Sequence, residues 1–119
     1  MPSGATSVIR REAGGCAIVE NWTGGDQTGI NVDAYNAEDK RWHRFFVDSI
    51  GKVHVFEGIA EGASIVYDGT STGPNGTIEI NRLVLRGEGP NGMTQLWQKS
   101  TNGKTWRIAF QGTYERVSR

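Results

Sequence analysis

The sequence predicts an all-β chain: an up-and-down antiparallel meander closing into a barrel, with little or no helix. Three observations lead there. Glycine is abundant at 17 residues while proline is limited to three, a balance that suits many tight turns. No segment repeats its apolar residues every 3.6 positions over three turns, so amphipathic helices are not expected. Residues Arg41 to Glu57 read as a hairpin, in which two aromatic and β-branched runs flank a short loop containing Gly51. Side chains alternate along a strand, so Trp42, Arg44, Phe46 and Asp48 share one face while His43, Phe45 and Val47 share the other. Bulk on both faces suits a closed or stacked sheet better than a single sheet facing water.

The remaining elements follow in order. Thr6 to Arg11 reads as a modest edge strand, and Gly14-Gly15 punctuates it. Cys16 to Trp22 reads as a strand buried on both faces, with Cys16, Ile18, Glu20 and Trp22 on one. Thr23 to Gly29 is a loop by composition, and Ile30 to Tyr35 alternates Ile30, Val32 and Ala34 with Asn31, Asp33 and Tyr35. Asn36 to Lys40 is a polar turn into the central hairpin. Gly58 to Gly62 is expected to be a tight connection, Ala63 to Tyr67 a strand, and Asp68 to Gly76 a flexible loop. Thr77 to Leu85 and Met93 to Lys99 are strands on either side of a Pro90-Asn91-Gly92 turn. Thr101-Asn102-Gly103-Lys104 is a hairpin turn, and Trp106 to Arg116 completes the series with Trp106, Ile108, Phe110 and Tyr114 in phase. Closing about nine short strands into a barrel removes exposed edges, and a barrel of about eight strands is filled by side chains or holds one small ligand.

The bulk numbers exclude several classes. At 119 residues the chain is expected to be a single domain, 1–119, with its own core. Thirteen Lys and Arg balance thirteen Asp and Glu, so neither nucleic acid nor an anionic membrane is an expected partner. The lone Cys16 excludes an intrachain disulfide and reads as a small buried hydrophobe. No run approaches the roughly twenty apolar residues of a membrane helix. The opening Met-Pro-Ser-Gly-Ala-Thr-Ser lacks a signal-peptide profile, so a cytoplasmic protein, or a mature secreted form without its leader, is expected.

Three pieces carry a family resemblance. Gly14 to Trp22, Tyr35 to His43 continuing to Val47-Asp48, and Gln95-Leu96-Trp97 with Ser100 to Trp106 together resemble bacterial calycin-like domains of unknown function, which are small lipocalin-like barrels. The likeness spans Gly14 to Arg116. It implies the lipocalin-like fold and no particular activity. Family members open with a Trp-bearing strand upstream of the Gly-Gly-Cys piece, whereas no tryptophan precedes Gly14 here. A barrel lacking that strand would leave an edge for a second copy to cover, so a homodimer is expected. Ser100 to Trp106 also resembles the Asp-box turn of sialidase propellers, but a single copy does not make a propeller.

Candidate chemistry falls into three classes. His43 and His54 lie on partnered strands but roughly four residues out of register, so no metal site is expected, and no cofactor-binding motif is present. Glu20, Asp48 and Arg82 are ionisable groups within strand-like runs, and an isomerase or cyclase could use Glu20 or Asp48 as proton shuttle with Arg82 steadying an anion. No nucleophile elbow or phosphate-cradling loop accompanies them. The preferred reading is a binder of a small, partly apolar molecule, lined by Trp22, Tyr35, Trp42, Arg44, Phe46, Gln95 and Trp97. A third class is an interaction module acting through a dimer edge.

Overall fold

The computed structural model describes residues 6–115, except the side chain of Pro74. Arg116, the end of the expected last strand, lies outside that range, as do residues 1–5, whose composition bears on the leader. Nine strands follow one another: β1 (Thr6–Glu12), β2 (Ala17–Gly24), β3 (Gln27–Asn36), β4 (Arg41–Asp48), β5 (Val53–Glu61), β6 (Ser64–Thr72), β7 (Ile78–Gly87), β8 (Gly92–Ser100) and β9 (Arg107–Glu115). Their hydrogen-bonded order is their chain order, the up-and-down antiparallel meander that the turn spacing predicts. Among the described residues the only helical pieces are two three-residue 3-10 turns. No helix among them is long and apolar enough to cross a membrane.

Contacts divide the chain within β5 into two compact units, residues 6–57 and 58–115. In the first, β1 pairs with β2, β2 with β3 and β3 with β4, so that rows of side chains run across the strands: Ile9, Glu20, Asn31 and Phe46, then Arg11, Ile18, Asp33 and Arg44. In the second, the row Tyr67, Leu83, Trp97 and Phe110 crosses β6 to β9. Tyr67 and Leu83 are essentially fully buried and anchor that unit.

Several expected loops are strand instead. The piece from Thr23 to Gly29 contracts to a two-residue turn at Gly25-Asp26, with Gly25 at φ 62°. The Trp22 ring lies over Gly24, where a Cβ would strike it. β5 runs through Gly58 because that glycine lets the Val66 backbone of β6 approach where a side chain would collide; the true turn comes at Gly62. β6 likewise continues to Thr72, through most of the expected flexible loop. In β9, Gln98 pairs with Ile108 while Trp97 pairs with Phe110, leaving Ala109 as a bulge. The bulge breaks the expected phase, so Ile108 faces away from Phe110 and is exposed.

Candidate functional site

In the first unit the face that is buried is polar. Glu20, Asn31, Asp33 and Arg44 are each less than a tenth exposed, whereas Ile30 and Phe45 on the opposite face are nearly half exposed. Strand alternation makes this a property of the whole face, since all four polar residues are in phase on neighbouring strands. A buried polar group is costly unless hydrogen-bonded, and most of these groups are. Glu20 accepts from Ser7 Oγ at 2.6 Å and from Asn31 Nδ2 at 3.0 Å, one bond to each carboxylate oxygen. Arg44 Nη1 donates to both oxygens of Asp33, at 3.1 and 3.0 Å.

Two atoms of this set keep unused capacity. Asn31 Oδ1 and Arg44 Nε are buried and have no hydrogen-bond partner among the described residues. Beside them Phe46, the cross-strand neighbour of Asn31, lies in near-parallel stacking with His54 at 6.1 Å, and His54 with Phe56 at 6.4 Å. The Phe46 ring covers Gly29, which has no side chain to displace it. A row of rings thus flanks one acceptor and one donor, the chemistry of a small-molecule site with a few fixed polar groups.

A groove of about 360 Å³ lies elsewhere on this unit. Asn21, Thr23, Thr28, Ile30 and Val47, which line it, belong to the opposite face of the sheet, and Trp22 and Asp48 at the sheet's end line it as well. That face also carries the exposed Val8, Phe45, Val53 and Val55.

The second unit has its own buried polar network. Trp97 Nε1 donates to Asn81 Oδ1 at 2.9 Å, and Asn81 Nδ2 donates to Ser71 Oγ at 2.9 Å. Glu79 is buried and receives Arg107 Nη2 at 2.5 Å and Lys99 Nζ at 3.5 Å. The Arg107 guanidinium holds the Glu79 carboxyl below its ordinary value; burial opposes this and Lys99 adds to it. Gln95 is buried on the same face.

The residues singled out in the sequence divide accordingly. Arg44 and Phe46 join the polar face of the first unit, whereas Trp22, in phase with Glu20, pairs with Gly29 and lines the groove. Tyr35 and Trp42 face each other at 5.6 Å at the far end of that face, and Tyr35 is 40% exposed. Gln95 and Trp97 belong to the second unit. Glu20 is built into the polar face, but Asp48 caps a turn, its Oδ1 accepting from the N–H groups of Ile50 and Lys52, both at 3.1 Å. Arg82 lies on the exposed face of the second unit, over the Trp106 ring and 3.4 Å from Asp68.

Asn31 and Asp33 make up half of the buried polar set and are not among the candidates named from the sequence. A signal is present once the turn is taken as Ala37 to Lys40: with Asn36 paired to Arg41, Asp33 and Arg44 are equidistant from it and opposite charges meet across the hairpin. Cys16 is exposed, against the expectation of burial, because it follows the left-handed Gly14-Gly15 turn and precedes β2. His43 pairs with Asp39 at 2.8 Å on the opposite face from His54, so the two rings cannot share a ligand. Among the described residues no group of three or more His, Cys, Asp or Glu side chains is placed to hold a metal. Ser100 Oγ and Asn102 Oδ1 accept the N–H groups of the Thr101 to Thr105 turn and explain its Asp-box-like sequence as turn chemistry. Neither a protein-family model nor a curated protein matches the chain.

Proposed function

We propose that the chain is a small-molecule binder of the calycin-like kind, taking its ligand on the polar face of residues 6–57. One observation carries this reading. Asn31 and Arg44 are 2% and 5% exposed, and each holds a polar atom without a partner among the described residues. Leaving such a group unpaired costs about 1–3 kcal/mol, which a ligand that pairs it recovers. The ligand is therefore recognised through polar atoms, with the Phe46 ring beside Asn31 supplying the apolar contact. Acid-base catalysis has less support, because both Glu20 oxygens are engaged, Asp48 serves a turn and Arg82 is exposed.

The test is thermal unfolding against a varied set of small molecules. A compound at a hundred times its Kd should stabilise the fold by about 2.7 kcal/mol. Stabilisation that is lost in Asn31→Leu, with the fold of the variant intact by circular dichroism, supports the reading. Stabilisation unaffected by that change contradicts it.

A second reading, self-association as a homodimer, is favoured by β1. Val8 and Ile9 point to opposite faces of this strand and are 56% and 52% exposed. Within its own unit β1 has β2 on one side only, and an unpaired edge with apolar residues on both faces is a template for a second chain.

A further inference from the structure

We infer that the polar face selects a small uncharged amide whose C=O and N–H lie on one edge, as in a lactam; this rests on the binding reading above. The argument starts from Asn31. Its Nδ2 is committed to Glu20 Oε1 at 3.0 Å, and an amide turned the other way would set its oxygen against a carboxylate. The orientation is therefore fixed, and Oδ1 can only accept. It requires a donor.

Arg44 requires the opposite. Its Nη1 holds both Asp33 oxygens, and the rigid plane of the guanidinium then fixes where Nε–H points. Nε requires an acceptor. Asn31 and Arg44 are diagonal neighbours on β3 and β4 with side chains on the same face, a relation that places such residues about 7–8 Å apart at their backbones. One small molecule presenting both functions together can reach both.

Charge narrows the class further. Among the buried side chains of this face Glu20 and Asp33 carry two formal negative charges and Arg44 one positive, the guanidinium being already paired, while Arg11 in the same row is exposed to solvent. A carboxylate or phosphate would add like charge to a poorly solvated site. A simple cation offers nothing to Arg44 Nε. An uncharged donor and acceptor on one edge meets both demands, and the Phe46 ring beside Asn31 favours a ring over an open chain.

The experiment uses the whole wild-type chain and four probes of similar size: 2-piperidinone, N-methyl-2-piperidinone, pentanoate and cyclohexane. Each is titrated while the Arg44 Nε–H and Asn31 side-chain resonances are followed. Shifts of both resonances with 2-piperidinone, at an affinity about ten-fold above that of its N-methyl derivative, support the inference, since the methyl group removes the donor that Asn31 needs. Equal binding of the two lactams, or preference for pentanoate or cyclohexane, overturns the amide class while leaving a binding site. No shift with any of the four, the two atoms being satisfied by water alone, overturns the class and the binding reading together.

Discussion

Asp33 and Arg44 stand directly opposite each other across β3 and β4, both buried, with one guanidinium nitrogen donating to both carboxylate oxygens. The pair lies in register across the hairpin, on the face that carries the proposed ligand contacts. It also orients Arg44 so that its Nε remains available.

Breaking that pair from one side should be costly. Arg44→Met takes away the guanidinium that pairs with the buried Asp33 carboxylate and should destabilise by about 3–5 kcal/mol, whereas Asp33→Leu combined with Arg44→Met should recover much of the loss. Urea unfolding of the two variants and the wild type measures both. Equal stability of the single and double variants would show that the ion pair is not what the fold depends on.

Glu79 makes stability depend on pH. Its folded pKa lies below the ordinary 4.5 because Arg107 favours the ionised form. The contribution is complete above the unfolded value and is lost as the pH falls through the folded one. Arg107→Gln should raise the Glu79 pKa and move the acid-unfolding midpoint to higher pH, as seen in thermal melts taken at a series of acidic pH values.

The strand from Arg41 to Asp48 is legible in the sequence, because its aromatic alternation and the polar turns on either side agree on both ends. The extent of β5 was not. Gly58 reads as a turn residue in sequence, and only the close approach of the Val66 backbone reveals that its missing side chain serves the sheet. The site was half legible for a related reason. Alternation divides Ile30, Val32 and Ala34 from Asn31, Asp33 and Tyr35 but does not say which set is buried, and here Ile30 is exposed while Asn31 and Asp33 are buried. Arg82 in its strand and Arg44 in its own look alike in sequence; burial alone separates them.

The two kinds of glycine should behave differently on substitution. Gly58→Ala drives a Cβ into the backbone of Val66, which cannot move without parting the strands, and should cost about 1–3 kcal/mol or more. Gly29→Ala meets chiefly the Phe46 ring, which can turn, and should cost less in stability while disturbing the site. Denaturation midpoints rank the two.

If β1 is covered by a second copy, sedimentation velocity at high micromolar concentration should report a dimer, and Val8→Lys should shift it to monomer. A compact monomer for the wild type across that range would rule the dimer out.

The central claim is that the buried polar face of residues 6–57 receives a ligand, and chemical-shift mapping of any stabilising compound tests it most directly. Perturbations should centre on the side chains of Asn31 and Arg44 and on the backbone of Phe46. Perturbations centred instead on Asn21, Thr28 and Val47, around the groove on the opposite face, would contradict it.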